Sequence, residues 1–120
     1  CVTTQGTTLD DQVEMRFGRA KNLIFVDTET GAYECVENPG SSASGGAGIS
    51  AGQMVADKGA ISLLTGNVGP NAFDVLKAAG VTVYTNVSGT IREALAAFKS
   101  GACKATDSAT VDSHFGAKRT

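Results

Sequence analysis

The chain has 120 residues, one domain's worth, with 42% apolar residues and a formal net charge of −2. That balance argues against a nucleic-acid partner, and no apolar run approaches the roughly 20 residues needed to cross a bilayer. The three cysteines, Cys1, Cys35 and Cys103, form no CxxC pair, so neither a disulfide framework nor a structural zinc site is expected, and free thiols suit a reducing cytoplasm.

The chain opens on Cys1 to Thr4, which reads as a strand. Residues 23–28 and 32–37 are the next two strand candidates, and Thr30-Gly31 between them supplies the turn of an antiparallel hairpin. The glycine- and serine-rich stretch from Pro39 to Gly48 is expected to be a mobile loop inside one domain, because the part before it is too short to fold alone. After this loop, helix and strand alternate. A helix is predicted over 49–58 with Gly59 as its cap, then a buried strand over 61–65. A second helix is predicted over 70–79, with Pro70 in its first turn and Phe73, Leu76 and Ala79 as its apolar stripe. Residues 81–85 form another strand. Thr90-Ile91-Arg92-Glu93 reads as a capping box opening a helix to Ser100, whose Ile91, Ala94, Leu95 and Phe98 follow the helical period. The small, polar segment 102–120 is expected to be a loosely ordered C-terminal tail on a single domain spanning 1–101.

The order β-β-β-α-β-α-β-α predicts an α/β fold in which the alternating half contributes parallel strands. Ligands bind beyond the carboxyl ends of such strands. Four segments fall there: Thr4 to Thr7, the glycine-rich loop with Gly46 and Gly48, Thr65 to Asn71 with Asn67 and Gly69, and Thr85 to Gly89 with Ser88. Three of them feed helix N-termini, near Ile49, Asn71 and Thr90, where unpaired amides and the helix dipole favour anions. The segment Met15 to Lys21 adds three cations in Arg16, Arg19 and Lys21. An arginine fork stays charged and donates several directed hydrogen bonds.

Catalytic sets are scarce. His114, the one histidine, falls in the tail, which leaves Ser-His-Asp and histidine-metal sites poorly supported. Asp10, Asp11 and Glu14 read as solvated surface, while Asp27 and Glu29 could pair on the hairpin. The P-loop pattern is absent and the glycines lack the full dinucleotide fingerprint. Cys35 and Cys103 default to buried or incidental thiols.

Arg16-Phe17-Gly18-Arg19-Ala20, Val26-Asp27-Thr28-Glu29-Thr30-Gly31, Glu37-Asn38-Pro39, Gly46-Ala47-Gly48-Ile49, Ala56-Asp57-Lys58-Gly59 and Thr65-Gly66-Asn67-Val68-Gly69-Pro70-Asn71-Ala72-Phe73 together resemble the dinitrogenase iron–molybdenum cofactor biosynthesis family. The resemblance covers about residues 1–101, and Gly-Asn-x-Gly-Pro-Asn-Ala is its most specific element. It implies an RNase H-like fold with a mixed five-stranded sheet, an antiparallel hairpin and three flanking helices. It also implies a non-enzymatic carrier or store for a metal–sulfur cluster, with possible protein partners in cluster delivery or regulation. Many members carry histidine where this chain has Arg16, which favours holding an anion by charge. That fits the sulfate-reducer branch, whose molybdenum–copper sulfide cluster is saturated by its own sulfides. The expected contacts are then Arg16, Phe17 as an apolar wall, Gly18, Arg19, Gly46, Gly48, Asn67, Gly69, Asn71 and Ser88. Two rivals remain: an RNase H-like metal-dependent nuclease, and a regulatory interaction module without cofactor.

Overall fold

A computed structural model describes residues 1–39 and 47–106. The elements in chain order are β1 (Val2–Thr4), a 3₁₀ turn (Phe17–Arg19), β2 (Asn22–Val26), β3 (Tyr33–Glu37), α1 (Ala47–Asp57), β4 (Ser62–Leu64), α2 (Pro70–Ala78), β5 (Thr82–Tyr84), α3 (Ile91–Lys99) and β6 (Ala105–Thr106). One mixed sheet has the order β3-β2-β1-β4-β5-β6. β1, β4 and β5 run parallel, while β2 opposes both β1 and β3. The hairpin register pairs Val26 with Tyr33 and Asn22 with Glu37, and Gly31 closes its turn at φ +80°, a conformation glycine adopts freely.

Among the described residues the sheet has six strands rather than the expected five. Ala105 and Thr106 pair antiparallel with Tyr84 and Val83, and the hydroxyls of Thr85 and Thr106 hydrogen-bond beside them. Two small residues at a sheet edge carry no periodic apolar signal, so composition alone could not reveal this strand. The remainder of the tail, and the loop centred on Gly40 to Gly46, lie outside the described residues.

Each face of the sheet carries its own core. Leu23, Leu63 and Val83 pack with Phe17, Ala51, Val55, Phe73 and Leu76 beneath α1 and α2. Val2, Ile24 and Leu64 pack with Val13, Val87, Ile91 and Ala94 beneath α3, where Tyr84 and Phe98 meet edge to face. Alternate residues of each strand therefore serve opposite layers, as the two-residue period of a pleated strand requires.

The two helices on the first face run side by side in the same direction. A Cβ at Gly48 would lie 3.0 Å from the Ala72 side chain, and one at Gly52 would lie 3.1 Å from Val75. An advance of four residues along α1 thus matches three along α2. Glycines one helical turn apart permit this approach, and it puts both helix N-termini at the same edge of the sheet.

Candidate functional site

That edge is the carboxyl side of β1, β4 and β5, and it is tied together by backbone hydrogen bonds between segments distant in sequence. The Asn67 amide donates to the Met15 carbonyl at 2.6 Å, and the Phe17 amide donates to the Asn67 carbonyl at 3.2 Å. This parallel bridge joins the basic loop to the glycine-rich loop after β4. Gly66 makes the junction possible, because a Cβ there would lie 2.5 Å from the Met15 carbonyl oxygen. Asn86, at φ 63°, turns its amide onto the Gly66 carbonyl at 2.8 Å and draws in the loop after β5. Asparagine tolerates this left-handed conformation better than most residues. Below the junction the buried hydroxyls of Thr3 and Thr65 meet at 2.8 Å, and Thr3 Oγ1 donates to the Glu14 carbonyl at 2.8 Å.

The structure brings most of the expected contacts to this edge. Arg16, Gly18 and Arg19 lie on the basic loop, Asn67 and Gly69 on the neighbouring loop, and Gly48 and Asn71 in the first turns of α1 and α2. Arg16, Arg19 and Asn71 are exposed, and Arg19 makes no ion pair with another described residue. Neither α1 nor α2 carries an acidic residue in its first turn. The N-cap of α2, Gly69, offers no side chain and Pro70 follows it, so the Asn71 and Ala72 amides have no intrahelical acceptor. Gly46 lies outside the described residues.

Three placements differ from expectation. Phe17 is 2% exposed and packs in the core under α1 and α2, so its ring anchors the loop instead of forming an open wall. The N-terminus of α3 is not free for a ligand. Its Ile91 and Arg92 amides donate to the carbonyls of Asp11 and Leu9, its Glu93 amide donates to Thr90, and Glu93 itself completes the capping box with a negative charge. Ser88 is exposed but lines a separate cavity of about 460 Å³ on the α3 side, together with Glu93, Ala97 and Cys103.

Glu14 departs from the solvated surface that its neighbours suggest: its side chain is only 11% exposed. It accepts hydrogen bonds from the Gln5 amide at 2.6 Å, the Arg16 backbone amide at 2.8 Å and Arg16 Nε at 3.3 Å. Partial burial pushes its pKa up, but these bonds and the Arg16 charge outweigh it and hold the carboxyl below its ordinary range. Gln5 also donates to the Arg19 carbonyl and accepts from the Lys21 amide, so the pair clamps the basic loop at both ends. Spacing could not reveal this clamp, because it depends on how the chain returns past β1.

Among the described residues, no group of three or more His, Cys, Asp or Glu side chains converges as a metal site. Asp27 accepts the amides of Glu29 and Thr30, which caps the hairpin turn instead of forming a carboxylate pair. Partial desolvation pushes up the thiols of Cys103, which is half-buried, and of Cys35, although Cys35 is exposed. A larger cavity, about 830 Å³, opens at the opposite edge of the sheet. It sets Asp27, Glu29 and Glu34 against Lys58 alone, a charge balance that disfavours an anion.

A family model described as dinitrogenase iron–molybdenum cofactor matches residues 1–101. Among solved structures, the chain is similar to the apo form of the orange protein from Desulfovibrio gigas, at 43% identity and a TM-score of 0.87, covering 91% of this chain and 92% of that one. It is also similar to a putative NifB protein from Thermotoga, at 41% identity and a TM-score of 0.75, covering 87% and 89%. An uncharacterized protein of Methanocaldococcus jannaschii is 27% identical over 95 residues, which is 77% of this chain and 80% of that protein.

Proposed function

The chain belongs to the dinitrogenase iron–molybdenum cofactor family, and on that premise we propose that it binds an anionic metal–sulfur cluster, of the molybdenum–copper sulfide type, without turning it over. The observation that carries this reading is the locked junction of the basic loop with the Gly66–Asn67 loop, beside the parallel N-termini of α1 and α2. Such a place offers what a sulfide-saturated anion can use: arginine forks and unpaired amides, with no coordination bond required. The cluster is cargo, released intact to a partner protein. Arg16 and Arg19 supply charge, Gly69 allows close approach, Gly48 lets α1 pack against α2 so that their N-termini sit together, and Asn67 and Asn71 shape the rim. Similarity to a protein that has an apo form supports the same reading, as does the donor chemistry of the edge. An RNase H-like assignment of the sheet is part of the same reading, and the mixed strand directions with an antiparallel hairpin support it.

The test is a titration of the empty protein with a molybdenum–copper sulfide anion, followed by its visible absorption, at low and high salt. Wild type retains the anion, Arg16→Ala weakens retention roughly ten-fold, and salt weakens it further, as expected for a partly screened charge interaction. Retention indifferent to Arg16, Arg19 and salt overturns the mechanism.

A further inference from the structure

We infer that Glu14 is a built-in counter-anion of the cluster site: its carboxylate neutralises Arg16 while the site is empty and tempers the hold on an incoming anion. The inference rests on the functional reading above and adds a residue to it.

The geometry is specific. The Glu14 carboxylate is fixed independently of the arginine side chain, by the Gln5 amide at 2.6 Å and the Arg16 backbone amide at 2.8 Å. It therefore stays in place whether or not the guanidinium docks. The guanidinium reaches it through Nε alone, at 3.3 Å. Nη1 and Nη2 meet no acceptor among the described residues, and the Arg16 side chain is 55% exposed against 11% for Glu14. One edge of the fork is held and the other is presented. A fixed negative charge next to the presented edge also opposes any anion that arrives there. For a carrier this has a use. A site with an unopposed arginine would hold a multiply charged cluster tightly, and delivery requires that the cluster leave.

A purely structural role for Glu14 predicts the opposite effect on binding. If the carboxylate only braced the loop, removing its charge would loosen Arg16 and weaken the complex. If it acts as counter-anion, the isosteric Glu14→Gln keeps an acceptor for the Arg16 amide, deletes the charge and tightens the complex.

The experiment measures affinity for tetrathiomolybdate, a metal-sulfide dianion, in wild type, Glu14→Gln, Arg16→Ala and the double variant. Glu14→Gln is expected to bind roughly ten-fold more tightly, with a steeper salt dependence, the order of effect of one nearby charge on a dianion at a partly exposed site. The gain should shrink several-fold when Arg16 is alanine, as a coupled pair requires. A second measurement needs no variant: the Arg16 Nε–H of the empty wild type should exchange with water more slowly than that of free arginine. Equal or weaker binding by Glu14→Gln, where wild type binds, overturns the counter-anion alone. A variant that does not fold leaves the decision to the exchange measurement, and unprotected Nε–H overturns the inference. Failure of every protein to bind overturns both this inference and the function it rests on.

Discussion

Gly66→Ala should damage fold and site together. The added Cβ would stand 2.5 Å from the Met15 carbonyl oxygen, 2.6 Å from its Cα and 2.7 Å from its terminal methyl. The methyl can swing away, but the two backbone atoms cannot. Relief therefore requires the glycine-rich loop to part from the basic loop. That movement breaks the Asn67-to-Met15 bond at 2.6 Å and the Phe17-to-Asn67 bond at 3.2 Å, and it drags on Phe17, which is 2% exposed in the core. Two net backbone bonds at about 1 kcal/mol each, plus the cost of stranding partly buried amides, give about 2–4 kcal/mol. For a domain of this size that lowers the melting temperature by about 10 °C. Anion affinity should fall as well, because the two loops no longer meet. Gly59→Ala is the control. Gly59 has φ +78° and nothing within 4 Å of where a Cβ would stand, so the change costs about 1–2 kcal/mol of backbone strain and should leave affinity unchanged. Circular-dichroism melts and anion titrations on both variants decide the matter. A Gly66→Ala protein that melts with wild type and binds normally would refute the locked junction.

Thr90→Ala removes the capping box of α3 and should cost about 1 kcal/mol in denaturant unfolding, with no change in anion binding, because the α3 amides are already committed to Asp11 and Leu9. Thr3→Val should destabilise more than Thr65→Val in the same assay, since Thr3 serves both Thr65 and the Glu14 carbonyl while Thr65 loses only one partner. Acidification should reveal the hydrogen-bonded carboxyls. The backbone amides of Thr8 and Thr7, with the Thr8 hydroxyl, hold Asp11 low, and Thr90 does the same for Glu93. A depressed folded-state pKa contributes stability above the unfolded value and loses it as pH falls through the folded one. Urea midpoints should therefore decline below about pH 4, near the unperturbed carboxylate values, and Asp11→Asn with Glu93→Gln should flatten that decline.

What the sequence made legible follows from periodicity and punctuation. The three helices were readable because each has a marked end, with Gly59 at φ +78°, Gly80 at φ +80° and Gly101 at φ +82° closing them, and because α2 and α3 also carry an apolar stripe. The hairpin was readable from Gly31 and its flanking β-rich runs. The basic loop and the Gly-Asn-x-Gly-Pro-Asn segment stand out in the sequence as distinctive segments, but nothing in it shows that Arg16 and Asn67 share a bridge. Such a contact is set by how the chain returns past β1, and no local pattern records it. For the same reason Phe17 looked like an open wall and Glu14 like surface, although tertiary packing buries the first and encloses the second.

The three helix N-termini show how the fold divides its resources. All begin at the carboxyl edge of the sheet, so sequence position alone makes them equivalent anion sites. α3 is closed: Asp11 and Leu9 take its first amides, and Glu93 adds a negative charge to the end that would attract an anion. α2 begins at an uncapped glycine and proline, and α1 lies against it with a glycine facing Ala72. The open N-terminus of α2 and the basic loop thus share the face that carries Phe17–Arg19, where Glu14 pairs with Arg16. Of the segments that carry the resemblance, Arg16–Ala20 and Thr65–Phe73 meet at this edge. The loop from Leu9 to Asp11 is spent on closing α3. On the proposed function, selectivity rests on which helix ends are left unsatisfied, together with the charges of Arg16 and Arg19.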